Sequence, residues 1–81
     1  MLTNPHRETI TTILKKIKAL RIEKGISQYE LSERLIICQN SYYKIESGKT
    51  KLDIYRLLQI STILEFNFSE YLYLNFDHVA S

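Results

Sequence analysis

The chain has 81 residues, 44% of them apolar, with one cysteine, two glycines, one proline and a formal net charge of +2. That is room for one domain with a modest core, and the scarcity of Gly and Pro argues against disorder. A lone cysteine excludes an intrachain disulfide framework, no apolar run approaches the ~20 residues of a membrane span, and residues 1–8 lack a basic-then-apolar leader, so a cytoplasmic protein is expected.

The charge is unevenly placed. Residues 1–56 hold all the Lys and Arg and carry a net +5, whereas residues 57–81 carry only Glu65, Glu70 and Asp77, a net −3. A basic front and an acidic back suit a protein that approaches a polyanion with one side.

In chain order, Asn4-Pro5 predicts a helix start, with Asn as cap and Pro at the first helical position. The helix should run to about Lys24 and stop at Gly25. Ile10, Ile13, Leu14, Ile17 and Leu20 form its expected buried stripe, with Lys15, Lys16 and Lys18 mostly in solvent. Ser27 with Glu30 makes an S-x-x-E capping box for a second helix, in which Leu31 and Leu35 share a face. Ile36, Ile37 and Cys38 form a tight turn, and a third helix is predicted from about Gln39 to Ser47, closed by Gly48.

The third helix has two unlike faces. At about 100° per residue, Gln39, Asn40, Tyr43, Lys44 and Ser47 fall within roughly 140°, opposite Tyr42 and Ile45. One face anchors; the other offers amides, a phenol, a hydroxyl and an ammonium. Side-chain amides pair with adenine edges, and lysine reaches guanine or phosphate. Two helices joined by such a turn are the helix-turn-helix arrangement, whose second helix enters the DNA major groove.

Asp53 is the expected cap of a fourth helix, with Ile54, Leu57, Leu58, Ser61 and Leu64 as its stripe and Ile60 beside it. Arg56, in its first turn, faces either DNA or solvent. The tail, F-N-F-S-E-Y-L-Y-L-N-F, is unusually aromatic. It reads either as a short fifth helix from about Ser69 or as a strand with Leu72, Leu74 and Phe76 on one face. Phe66, Phe68, Tyr71 and Leu72 are expected to close the core. The apolar surplus of Phe66, Phe68, Tyr71, Leu72, Leu74 and Phe76 is read as a dimer interface, the alternative being a tail wrapped onto the first helix.

The segments L-R-I-E-K-G-I-S-Q-Y-E-L-S-E-R-L (20–35), K-I-E-S-G-K (44–49) and I-Y-R-L-L-Q-I-S (54–61) together resemble the Cro/repressor-type (Xre-like) helix-turn-helix proteins of phages and bacteria, over about residues 17–72. The resemblance implies an all-α, compact four- to five-helix bundle of the lambda-repressor-like DNA-binding type. It implies a single domain over 1–81, with its core at about 9–72, the helix-turn-helix at 27–48 and a tail at 73–81. It also implies an ion pair between Arg21 and Glu46 that fixes the recognition helix on the core; the alternative is two independent surface charges. Gln28 resembles the family's glutamine that touches phosphate or supports a neighbouring side chain. Gln39 and Asn40 are the expected base readers, Tyr43 and Lys44 reach base or phosphate, and Ser47, Lys49 and Lys51 contact phosphate.

Several residues depart from the pattern. Ile36 stands where the turn usually has Gly, and a β-branched residue dislikes φ > 0, so the turn is expected to be wider or shifted. Cys38 replaces a hydroxyl cap. Tyr42 replaces a core aliphatic residue, and its hydroxyl will want a partner if buried. Glu65 and Leu52 replace Gly and Pro of the later loops.

No HxxxH, CxxC or Gly-rich phosphate loop is present, and His6, His78 and Cys38 do not make a ligand set. Neither an enzyme, a metal nor a cofactor is expected. The function read from the sequence is a DNA-binding transcriptional regulator, a homodimer on double-stranded DNA with an inverted-repeat operator. The alternative is a protein-interaction module on the same fold, such as an antitoxin holding a toxin through its tail.

Overall fold

The computed structural model describes residues 4–71; the expectations for Leu72, Leu74, Phe76 and His78 lie outside them. Four helices follow in order: α1 Pro5–Glu23, α2 Gln28–Leu35, α3 Gln39–Glu46 and α4 Ile54–Leu64. A fifth helical segment opens at residues 69–71, and no strand occurs among the described residues.

The helix starts follow from side-chain oxygens. Asn4 accepts from the N–H groups of His6 and Arg7, with Pro5 behind it. Ser27 and Glu30 form the reciprocal capping box. Asp53 accepts from the Arg56 N–H at 2.7 Å. Only α3 begins without a side-chain cap: the Cys38 sulfur lies 3.1 Å from the Ser41 hydroxyl instead.

All four helices end the same way, with one left-handed residue and two backbone bonds that return to the last turn. Gly25 and Gly48 supply two of these positions, Ile36 (φ 59°) and Glu65 (φ 55°) the others. At the first turn Ile36 N–H bonds Glu33 O and Ile37 N–H bonds Ser32 O. The turn between α2 and α3 is therefore neither widened nor shifted. Leu31 and Leu35 on one side and Tyr42 on the other are buried, and their packing imposes a backbone shape that isoleucine resists on its own.

α2 packs on α3, and α1 packs on both α3 and α4. Between them lie Ile13, Ile17, Leu20, Leu31, Leu35, Tyr42, Leu57, Ile60, Leu64 and Phe68. Two expected stripes need correction. Ile10 is 45% exposed, because the first turns of α1 project beyond the bundle and burial begins at Ile13. On α4, Leu57, Ile60 and Leu64 face the core, whereas Ile54 and Leu58 are 65% and 60% exposed. Leu57 and Leu64 of the expected stripe, with Ile60 beside it, are buried; Ile54 and Leu58 lie on a second apolar stripe that the same spacing allows. Phe68 is buried in the core, with Phe66 and Tyr71 packed against it, so Phe68 is not interface surface. Exposed large apolar side chains among the described residues include Ile54, Tyr55 and Leu58 on α4, besides Ile10, Ile22, Tyr29, Ile36 and Tyr43.

Ile36 is 90% exposed and its side chain packs on nothing, so its left-handed backbone is uncompensated locally. Ile36→Asn is expected to relieve about 1 kcal/mol and raise the melting temperature by roughly 5 °C in a thermal denaturation followed by circular dichroism. An unchanged or lower midpoint would contradict this account of the turn.

Candidate nucleic-acid interface

α3 has only eight residues and no side-chain cap, too little for a helix to hold itself in water. Its position comes from tertiary contacts. Tyr42 is fully buried, and Ile45 and Glu46 nearly so. The Glu46 carboxylate takes four hydrogen bonds. Arg21 grips it side-on, Nε to Oε2 at 2.9 Å and Nη2 to Oε1 at 3.0 Å; the Tyr42 hydroxyl donates to Oε2 at 2.6 Å; the Gln28 amide donates to Oε1 at 3.3 Å. Arg21 Nη1 also donates to the Ile26 carbonyl at 2.9 Å. One cluster thus ties α1, the α1–α2 loop, the start of α2 and the end of α3. The buried hydroxyl of Tyr42 finds its partner one turn along its own helix.

The electrostatics agree with this geometry. Burial pushes the Glu46 carboxyl up, but the hydrogen bonds from Arg21, Tyr42 and Gln28 outweigh it and leave the group below the ordinary carboxylate value. The hydrogen bond to Glu46 outweighs burial at Arg21 and raises its pKa. Burial, then the bond to Glu46, raises that of Tyr42.

With that side held, Gln39, Asn40, Tyr43, Lys44 and Ser47 are all exposed. The Lys49 ammonium stands 5.1 Å from the centre of the Tyr43 ring, so loop and helix present their polar groups together. The loop leaves α3 through Gly48, with the N–H groups of Lys49 and Thr50 both turned back to the Lys44 carbonyl. Lys51 is exposed beyond it. The Ser47 hydroxyl donates to the Lys44 carbonyl at 3.3 Å. Gln28 is half-buried and engaged with Glu46. Arg56 is half-buried and donates to the Leu35 carbonyl and to Gln59, joining α4 to the end of α2. Nothing local in the sequence marks the Gln28–Glu46 and Arg56–Leu35 bonds, because the partners lie 18 and 21 residues apart.

A family model described as a helix-turn-helix domain matches residues 14–77. The chain belongs to the helix-turn-helix domain family. No curated protein and no solved structure matches it. In this domain the turn is residues 36–38 and α3 is the second helix of the motif, the one that such domains place in the DNA major groove. No helix among the described residues is long and apolar enough to cross a membrane, and no group of three or more His, Cys, Asp or Glu among them is placed to hold a metal ion.

Removing one partner of a buried pair strands the other charge. Arg21→Ala is therefore expected to cost ~3–5 kcal/mol, and Tyr42→Phe ~1.5–3 kcal/mol, both read from urea denaturation. Because the folded-state pKa of Glu46 is depressed, its contribution is complete above the unfolded carboxyl value of about 4.3 and is lost as pH falls through the folded one. The wild-type domain should lose stability in that acid window, and Glu46→Gln should lose less there. Parallel acid titrations of the two would contradict the assignment.

Proposed function

We propose that this protein is a sequence-specific DNA-binding transcriptional regulator that inserts α3 into the major groove. The observation that carries the reading is the exposed row of Gln39, Asn40, Tyr43 and Lys44 on a helix whose other side is locked by Glu46. Fixed, outward amides and cations are what base recognition needs, since the bidentate geometry tolerates little play. Gln39 and Asn40 are the readers; Tyr43 and Lys44 reach base or phosphate. Ser47, Lys49 and Lys51 contact phosphate and set the register. Gln28 acts by steadying Glu46.

One copy of the motif covers a short half-site, so the operator is an inverted repeat with half-sites ~34 Å apart, bound by a two-fold dimer. The surface for pairing with a second copy is the outward side of α4, where Ile54, Tyr55 and Leu58 are exposed together. A helix apolar all round is normally covered on both sides. The alternative reading is an interaction module on the same fold, such as an antitoxin that holds its toxin through the C-terminal tail. A DNA reader shows a steep salt dependence on duplex DNA, and an interaction module does not.

Gln39→Ala is expected to cost ~1–3 kcal/mol on the cognate site selected from a random DNA pool, and to relax preference at one base pair. Equal losses on cognate and random duplex would remove Gln39 from the readers. Leu58→Asp should give a monomer in sedimentation at micromolar concentration, with weakened binding to the inverted repeat and unchanged binding to a single half-site. A variant that stays dimeric would move the interface off α4.

A further inference from the structure

An open groove of about 870 Å³ runs between the first half of α1 and the loop that follows α3. The two walls approach closely: a Cβ added to Gly48 would lie 3.6 Å from Leu14 Cδ1. Arg7, Lys15 and Lys18 rise from the helix, and Lys49 and Lys51 from the loop. Among the described residues the only acid lining the groove is Glu46, which Arg21 neutralises; Glu8 lies on the neighbouring flank beside Arg7. Five cations thus face one space, with no available counter-charge among the described residues that line it.

The first turns of α1 do little for the core. Residues 5–8 and 10–12 are exposed, and residues 5–13 precede the stretch matched by the family model. The groove face of α1 therefore carries Arg7, ahead of the matched stretch, and Lys15 and Lys18, inside it. Like charges held on one face destabilise a fold unless something of opposite sign meets them.

We propose that this groove seats the sugar–phosphate backbone of the duplex beside the base pairs read by α3. The proposal rests on the DNA-binding reading and extends it to Arg7, Lys15 and Lys18. From Arg7 to Lys18 the helix rises roughly 16 Å, the axial length of about four to five phosphates of one strand at ~3.4 Å each. The occupant is a polyanion rather than a small anion. The groove is open, its cations are on long exposed stems, and no buried side-chain polar atom among the described residues lacks a partner with which to grip one particular ligand. Lys49 borders both the groove and the Tyr43 ring, so the backbone path is continuous with the reading face.

The test is equilibrium binding of the full chain to a random-sequence duplex several turns long, with salt varied between about 50 and 200 mM. The double variant Lys15→Ala/Lys18→Ala should lower the slope of log K against log salt by about 2, and Arg7→Ala by about 1, equally on all sequences. Lys15→Arg/Lys18→Arg should keep the wild-type slope, and every variant should melt within about 4 °C of wild type, these positions being exposed. A steep wild-type slope left unchanged by the double alanine variant would overturn the groove and leave the DNA reading intact. A wild type with no steep slope would overturn that reading and the groove with it. Inorganic pyrophosphate that raises the melting point of wild type but not of the double variant, with equal DNA slopes, would reassign the groove to a small anion.

Discussion

The whole arrangement turns on the carboxylate of Glu46. It is almost buried, yet it remains charged because Arg21, Tyr42 and Gln28 saturate its lone pairs. A buried pair adds little net stability over an apolar substitute, but a pair with one member missing costs several kcal/mol. In a domain with roughly 5 kcal/mol to lose, that is most of the margin. The cluster therefore acts chiefly as a specifying device. It admits one placement of a short, weakly capped helix, and that placement turns five polar side chains outward together.

Burial is distributed so that each helix keeps one working side. α3 hides Tyr42 and Ile45 and shows its amides; α4 hides Leu57, Ile60 and Leu64 and shows Ile54, Tyr55 and Leu58. α1 buries Ile13, Ile17 and Leu20 and shows Arg7, Lys15 and Lys18 on its exposed side. The core is thus modest in size, and much of the remaining surface is either basic or apolar. Such surfaces are expensive to leave in water and suit contact with nucleic acid and with a second chain.

The sequence spoke clearly wherever a single side chain decides the backbone. Asn4, Ser27 and Asp53 start helices because their oxygens satisfy orphan N–H groups, and Gly25 and Gly48 end them. The two faces of α3 were also legible, since polar and apolar residues separate cleanly around it. α4 was not, because its spacing fits two stripes and only the neighbouring helices choose between them. The bonds from Gln28 to Glu46 and from Arg56 to Leu35 carry no local signal for a related reason: the partners lie 18 and 21 residues away. In the aromatic run at 66–71, Phe68 closes the core as its sequence suggested, with Phe66 and Tyr71 packed against it.

Ile36 shows that the path of a turn can outlive the residue best suited to it. Leu35 is buried and Ile37 packs against the core, so the anchors on either side carry the backbone through a left-handed step whatever stands between them. A search pattern written around a glycine at that point would reject this chain although the bend itself is ordinary. Distant kin are better sought through an arginine and a glutamate 25 positions apart, because losing either member of that couple undoes the geometry, whereas swapping the turn residue only strains it.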